Sequence, residues 1–549
     1  MPAQVTNYLQ HLQPAQTQIT FIMRVLLFAL LSCVIRALTS PNLVFILTDD
    51  MGYGSVFNGA AITPHLDALR VEGVTADMYS YRFCSPTRAA FLTGRYPWRI
   101  TSTLCDNRVC NYLPGTIPMG VNLAYSMLPK RLTEKGYVSY HVGKWHEGLY
   151  APQFTPTYRG FNHSNGFLSG GEDHYTLAGD LGTGRGCNVS LGMTRDAFID
   201  NKTAPEVVGQ YTGTRFLNAA VDYIAGHDTS APLFMYVALH NTHAPLECEP
   251  QDKILYNKTF PWEKQSTYYG MTTAVDRTVG AVVAALKTAG MWDNTLLIWT
   301  TDNGAPVQVG GSNGGLRGGK GSNWEGGVRE RGIFSGGLVP PSRRNVTLPR
   351  TMGAFHVSDV HSTFLTRAGL SVIDPNPRAP TPVDGIDVWD WVLGTVSHSP
   401  RTEQGMPLDH LNFDYTISPT GAYIKGDLKL IVGVPTGETQ ASWFGGHPLY
   451  FSPNASMPNP PINQVACMST VPPYACLFNL TDDPTEHNDI ASTRPDLLGS
   501  MMADFAALNA TFHPPWIVPA DEKDQMCTVA LDNDNVAAPW RSQPLPQDM

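Results

Sequence analysis

The segment Cys84-Ser85-Pro86-Thr87-Arg88, running on through Leu92-Thr93-Gly94-Arg95, sets a lone cysteine ahead of a proline and an arginine. Pro86 suits a first helical turn, where its missing N–H is not needed, and Gly94 is a natural helix stop. Cys84 then falls at a helix N-terminus, where the backbone dipole and Arg88 both favour negative charge on sulfur, making it a candidate nucleophile. Taken alone, such a cysteine is more often a buried structural residue. Asp49, Asp50, Asp302 and Asn303 offer only oxygen donors of the kind a hard cation takes, Ca²⁺ or Mg²⁺ rather than Zn²⁺. An isolated Asp-Asp pair is usually a turn or a cap. Lys144, His146, His243 and Lys320 add cationic donors and proton-transfer groups, and Lys320 lies in the glycine-rich run from Leu316 to Arg329, which permits close backbone approach. A dication, these lysines and histidines and a helix-end nucleophile together describe a pocket for a tetrahedral anion. Positive groups neutralise its oxygens while a histidine protonates the leaving oxygen.

The elements that carry these residues are continuous apolar runs. Asn42–Thr48, 137–142, 233–239 and 295–301 read as strands buried on both faces. Each ends in a polar cluster: Asp49-Asp50, Gly143-Lys144-Trp145-His146, His240-Asn241-Thr242-His243 and Asp302-Asn303-Gly304. Helices are expected from Pro64, through Cys84–Thr93, and along the stripe Met271, Val275, Val279, Val282 and Leu286, with Gly290 as its stop. This alternation predicts an α/β domain with a mostly parallel central sheet between helices, whose ligands bind beyond the carboxyl ends of the strands. Beyond the Pro-rich loop at 374–382, residues 422–432 read as a hairpin of a small antiparallel sheet. The Pro-rich stretch 452–474 reads as a surface loop and the residues from Asp532 as a tail. The expected organisation is a leader over 1–40, a catalytic domain over 41–410 and a small C-terminal domain and tail over 411–549.

The 549 residues carry a formal charge of −10 and 42% hydrophobic residues with only 15% charged, a composition that fits a compact globular protein and excludes nucleic acid as a partner. An anionic substrate must then be drawn by a local cationic pocket. Val25–Ile35 is a short apolar run after Met23-Arg24 and before Ala37, the layout of a secretory signal peptide with translation expected from Met23, and it is too short for a membrane anchor. Asn162, Asn188, Asn201, Asn257, Asn345, Asn454, Asn479 and Asn509 are N-x-S/T acceptors, which together with the signal imply the secretory pathway, lysosomal or extracellular. Outside the signal and Cys84 there remain Cys105, Cys110, Cys187, Cys248, Cys467, Cys476 and Cys527, an odd number that leaves at least one free or paired with another chain. A Cys467–Cys476 loop, and a link from Cys105 or Cys110 to Cys527, are among the pairings open.

Cys84-x-Pro86-x-Arg88 with Leu92-Thr93-Gly94-Arg95 resembles the signature of the type I sulfatases. Gly143–His146, Thr301–Gly304, Lys320–Arg329 and the closing Leu477-Phe478-Asn479-Leu480-Thr481-Asp482-Asp483-Pro484 match further blocks of that family in order, over residues 42–491. His240–Leu246 and Gly170-Gly171-Glu172-Asp173-His174-Tyr175 look most like the arylsulfatase B group, the N-acetylgalactosamine-4-sulfatases. The resemblance implies an alkaline-phosphatase-like α/β fold and a sulfuric ester hydrolase acting on aryl sulfates in vitro and sulfated carbohydrate in vivo. It also implies that Cys84 is oxidised to Cα-formylglycine by a formylglycine-generating enzyme, and that the aldehyde hydrate attacks sulfur to form a covalent enzyme–sulfate. Carried over residue by residue, Asp49, Asp50, Asp302, Asn303 and position 84 would hold Ca²⁺. Arg88 and Lys144 would orient the hydrate, His243 and Lys320 would grip the sulfate and assist the departing alcohol, and His146 would act as base when the covalent sulfate collapses. The hydrate's second hydroxyl drives that collapse, which serine or unmodified cysteine lacks. Ser55 stands where the family usually has aspartate, and His65 where it has asparagine. A phosphatase or phosphonate monoester hydrolase of the same superfamily, and a silent glycan-binding homologue with Cys84 as a thiol, are the alternative readings.

Overall fold

The computed structural model describes residues 40–57, 60–100, 120–179, 195–260, 262–379, 381–409, 420–432 and 475–512, with 529, 538 and 539 as isolated positions. The chain divides into a leading stretch, Met1–Pro41, and a body, Asn42–Met549. The expected signal segment, Cys105, Cys110, Cys187, Cys467, Cys527, the acceptors Asn188 and Asn454, the 452–474 loop and most of the tail lie outside the described residues. Cys476 is disulfide-bonded, and Cys84 and Cys248 are free thiols.

Eleven strands form the main sheet: β1 (Asn42–Thr48), β2 (Val74–Tyr79), β3 (Val138–Lys144), β4 (His163–Phe167), β5 (Phe198–Ile199), β6 (Lys202–Thr203), β7 (Leu233–Leu239), β8 (Thr295–Thr301), β9 (Arg329–Ser335), β10 (Val346–Leu348) and β11 (Phe355–His356). Its order is β10-β2-β9-β8-β1-β7-β3-β4-β5-β6, with β11 also on β2. The middle run β8-β1-β7-β3-β4 is parallel throughout. The four strands expected from the sequence are therefore neighbours, and their carboxyl ends open on one edge. β9 is antiparallel to both β2 and β8, with Tyr79 paired to Arg329, so the glycine-rich segment between β8 and β9 returns along that same edge. The predicted strand at 137–142 runs on to Lys144 because Gly143, at φ 99°, lies where a Cβ would be 2.0 Å from the Ala238 carbonyl oxygen. Only glycine lets β3 and β7 pair so far along.

Six helices of eight residues or more lie among the described residues: α1 (Pro64–Val71), α2 (Cys84–Thr93), α3 (Thr212–Ala225), α4 (Glu263–Thr288), α5 (Val357–Arg367) and α6 (Pro495–Asn509). The first five cover both faces of the sheet. Leu43, Phe45 and Leu47 of β1 pack with Ala90 and Phe91 of α2 and Val360 and Phe364 of α5. Val44 and Ile46 point the other way, against Leu66 of α1, Phe216 of α3 and Val275, Val279 and Val282 of α4. A fully apolar strand is the pattern such two-sided burial requires, each Val or Leu contributing about 1.5–3 kcal/mol. Asp276 of α4 is buried, and its carboxylate takes the N–H groups of His65 and Leu66 at 3.2 and 2.7 Å, closing the start of α1.

The second sheet holds β12 (Glu403–Asp409), β13 (Thr420–Lys425), β14 (Leu428–Val432) and β15 (Ala475–Asn479), all antiparallel. Its Ile424, Ile431 and Phe478 pack against Tyr79, Trp324 and Val328, so the small sheet rests on the end of the glycine-rich segment. Leu430 and Leu477 pack with Trp98 and with Met501 and Phe505 of α6.

Candidate active site

The nucleophile candidate is set by α2, all ten of whose residues are buried. Cys84 is its first residue, Pro86 lies in the first turn, and Gly94 closes it in the left-handed conformation at φ 70°. Thr87 locks the helix to the sheet, donating to the Asp302 carbonyl at 2.7 Å and accepting from Tyr81 N–H at 2.9 Å. The Cys84 thiol donates to Asp49 Oδ1 at 3.3 Å, and Lys320 Nζ lies 3.4 Å from the sulfur.

Around it the strand-end residues form one ionic network. Lys144 Nζ sits 2.6 Å from Asp49 Oδ2, and Lys320 Nζ 2.6 Å from Asp50 Oδ1. Arg88 pairs with Asp302 Oδ2 at 2.7 Å and also donates to the Lys144 carbonyl at 3.2 Å. Asn303 donates to Asp50 Oδ1 at 2.7 Å, and Asp50 N–H reaches Asp302 Oδ1 at 3.2 Å. His243 Nε2 lies 3.9 Å from Asp50 Oδ2, while its Nδ1–H donates to the Ala244 carbonyl at 2.6 Å. Since that carbonyl only accepts, the neutral ring presents its Nε2 lone pair to the site. His146, at φ 59°, lies against Gly170, where a Cβ would stand 2.7 Å from the ring's Cε1 and Nε2. All ten residues singled out from the sequence thus converge on one edge of the sheet.

The electrostatics differ from the first reading of Cys84 as an activated thiolate. Burial, then the Asp49 carboxylate, push the thiol far above its ordinary range, and Lys144 and Lys320 do not offset them. The helix dipole is a fraction of a charge, whereas the adjacent carboxylate is a full one. Burial alone would raise Asp49, yet Lys144 and His243 hold it well below the usual carboxylate range. Asp302 is pushed up to about 7 by burial and by Asp49. Burial, then the Lys320 charge, lower His243 to about 4, and burial with the Lys144 and Arg88 charges holds His146 well below 6.5. Both rings are neutral at pH 7, while Lys320 keeps its proton because, against its burial, Asp50 and the other acidic groups around it, Asp49 and Asp302 among them, together prevail.

Sequence reasoning assigned no role to His240, Thr242, Tyr268 or Glu172. His240 Nδ1 lies 3.4 Å from Asp49 Oδ2, and its ring stacks on His174 at 4.7 Å and tilts against His243 at 5.0 Å. Thr242 donates to the Asp49 carbonyl. Tyr268 donates to the Asp50 carbonyl at 2.9 Å and meets Ser55 Oγ at 3.0 Å. Ser55 in turn bonds Ser312 on the glycine-rich segment at 3.1 Å, so the serine at this position ties two loops together. Glu172 is buried and bonded to His240 through its main chain. His240 and Thr242 lie in the strand-end cluster and Glu172 in the Gly170–Tyr175 block noted in the sequence, whereas Tyr268, within α4, carried no such signal.

Asp49, Asp50, Cys84 and His243 bring ligand atoms within 4.8 Å of one another, a group able to hold a metal ion. Asp302 lies outside this group, and its oxygens are engaged by Arg88 and Asp50 N–H. Asn303 Oδ1 is buried without a hydrogen-bond partner. An orphaned carbonyl-type oxygen beside two carboxylates fits a hard cation, which takes six to eight such donors. Three carboxylates here face three fixed cations, Arg88, Lys144 and Lys320, so a divalent ion would leave the pocket positive toward an anion.

A family model described as Sulfatase matches residues 41–369. The chain belongs to this family. It is an arylsulfatase-type sulfatase, a hydrolase of sulfate esters. It is 30% identical to mouse arylsulfatase J over 513 residues, covering 91% of this chain and 80% of the relative. Human N-acetylgalactosamine-6-sulfatase is 31% identical, with 64% of this chain and 66% of that protein covered. Among solved structures, Ps i-CgsB in complex with k-i-k-neocarrahexaose has a TM-score of 0.69 at 24% identity, covering 88% of this chain and 95% of that one. The α/β sulfatase fold, a large mixed and mostly parallel sheet with a small four-stranded one, is shared with it. Among the described residues no helix of the sulfatase is long and apolar enough to cross a membrane.

Proposed function

We propose that this sulfatase removes sulfate from a sulfated amino sugar, such as 4- or 6-sulfated N-acetylgalactosamine, with position 84, oxidised to Cα-formylglycine, as nucleophile. The observation that carries this reading is Cys84 at the start of α2, 3.3 Å from Asp49 and 3.4 Å from Lys320, inside the carboxylate cluster. A thiol held protonated there is a poor nucleophile, whereas an aldehyde hydrate supplies a hydroxyl for attack and a second one for release. Asp49, Asp50 and Asn303, with Asp302 behind them, would hold Ca²⁺, which supplies Lewis-acid polarisation of a sulfate oxygen. Lys144 and Arg88 lock Asp49 and Asp302 in place and keep positive charge beside position 84. Lys320 reaches both Asp50 and position 84, which suits it to hold the sulfate and to give a proton to the leaving oxygen. His146 is neutral and held by Gly170, as a base for the release step must be. Relatives named for N-acetylgalactosamine-6-sulfate support the amino-sugar class.

The apolar run Val25–Ile35 and the sequons support a secretory, lysosomal or extracellular location; Asn162, Asn201, Asn257 and Asn345 are exposed. The deciding experiment joins mass spectrometry of the peptide containing position 84 to turnover of 4-methylumbelliferyl sulfate and phosphate. Formylglycine with faster sulfate turnover is expected. Unmodified cysteine throughout, or faster turnover of the phosphate ester, overturns the proposal.

A further inference from the structure

A cavity of about 540 Å³ opens where two of the site's own segments continue. Its lining includes Ala244, bonded directly to His243, and Val309, on the segment that leaves Asn303. Its volume falls in the range of about 300–1,000 Å³ usual for small-ligand sites. The lining mixes an aromatic face, Tyr175, with apolar Leu246 and with charged groups. Tyr175 is half-buried, and its ring leans on Tyr211 at 5.2 Å. Tyr211 is itself held by Asn241 at 3.0 Å and bonds the Glu247 carbonyl at 3.1 Å, so the platform is fixed through the strand end that carries His243. Among the charged lining groups, Lys253 is neutralised by Glu263 at 2.7 Å, and the Glu247 carboxylate accepts His174 N–H at 2.8 Å. Lys264, on the first turn of α4, has no ion pair among the described residues and is exposed. With Glu247 still charged beside Tyr175, the lining is neutral as a whole, and its one cation without an ion pair among the described residues is Lys264. A rigid aromatic face, polar walls and that cation match a pyranose ring whose negative group is turned toward Lys264, the ring's C–H face stacking and its anion pairing.

We propose that this cavity is a subsite for the saccharide unit next to the sulfated one, with Tyr175 as the stacking platform and Lys264 as the counter-charge for a carboxylate or second sulfate on that unit. This rests on the sulfatase reading above. In a protein of net charge −10 such a cation also selects which chains dock productively, since the overall field repels them.

The test compares kcat/KM for 4- and 6-sulfated chondroitin tetrasaccharides with that for 4-methylumbelliferyl sulfate, in the full chain. For Lys264→Ala and for Tyr175→Ala the ratio of tetrasaccharide to aryl sulfate should fall about tenfold, through KM, the size of one good contact. Lys264→Arg should restore it, and added salt should lower the wild-type ratio but not that of Lys264→Ala. Carboxyl-reduced tetrasaccharides separate the sources of charge: if the wild type loses the same factor on them the partner is the uronate, and if not it is a second sulfate. Ratios unchanged in both variants, or both substrates falling alike, overturn the subsite. So does a wild type that turns over the aryl sulfate but no tetrasaccharide. A wild type inactive on the aryl sulfate as well removes the proposed function itself.

Discussion

Lys429 on β14 lies fully buried with Nζ 2.8 Å from Glu325 and 2.8 Å from Glu486, joining the small sheet to the glycine-rich segment that carries Lys320. Glu486 also accepts Glu325 N–H at 2.7 Å, while Tyr79 donates to Glu325 at 2.9 Å and Arg329 approaches it at 3.4 Å. One lysine thus serves two carboxylates. Lys429 and Arg329 hold Glu325 below its usual range despite its burial. Glu486 is pushed up to about 7 by burial and by the Glu325 charge, with Lys429 opposing. The unfolded value is about 4.3, so the gap corresponds to roughly 4 kcal/mol at ~1.4 kcal/mol per unit. Above pH 7 both states are ionised and the folded state carries that penalty in full. As pH falls from about 7 toward 4.5 the folded Glu486 takes up a proton that the unfolded one does not, and stability rises; below that it is level. Glu486→Gln imitates the protonated form, so the variant should exceed wild type by about 4 kcal/mol at pH 8 and match it near pH 4.5. Urea unfolding followed by tryptophan fluorescence suits the measurement, because Trp324 packs edge-on against Phe478 of β15 at this junction. Taking wild type minus variant at each pH removes the other titrating groups. A difference independent of pH, or one that grows as pH falls, would refute the coupling of Glu486 to Glu325.

Cys84→Ala should abolish sulfate ester turnover while the thermal midpoint moves by no more than a few degrees, since among the described residues the thiol hydrogen-bonds only to Asp49 and Lys320; residual turnover above that of buffer contradicts its role. Chelation should lower activity and added Ca²⁺ restore it, and full activity in metal-stripped protein would sink the ion assignment. Gly170→Ala puts a methyl 2.7 Å from the His146 ring, an overpacking of about 1–3 kcal/mol that displaces the base; kcat should drop with KM little changed, and an unaltered kcat would show that the ring position is not critical. Lys144→Met leaves Asp49 buried without its closest cation, so the protein should lose about 3–5 kcal/mol and most activity together, which a normal urea midpoint would exclude.

The strands β1, β3, β7 and β8 were readable from sequence because a strand buried on both faces has no solvent side to interrupt its apolar run, and because each run stops at its polar cluster. Seven of the ten site residues, Asp49, Asp50, Lys144, His146, His243, Asp302 and Asn303, were readable for the same reason: in a parallel sheet all carboxyl ends share an edge, so their convergence follows from topology, whereas Cys84, Arg88 and Lys320 were readable from their own local motifs. β2 and β9 were not. Val-Thr-Ala-Asp-Met-Tyr and Arg-Glu-Arg-Gly-Ile-Phe-Ser mix charge with apolar residues, and only their pairing explains it, since Asp77, in register with Arg331, forms a diagonal cross-strand ion pair with Arg329 at 2.6 Å. The placement of His240 and Tyr268 around the carboxylates, the protonated state of Cys84 and the reach of Glu486 to Glu325 rest on contacts between residues far apart in the chain. Residue types and local periodicity determined what chemistry the protein carries. The tertiary structure alone decided which charges face one another and at what distance, because Coulomb and desolvation energies depend on burial and separation in space, and neither is written in local order.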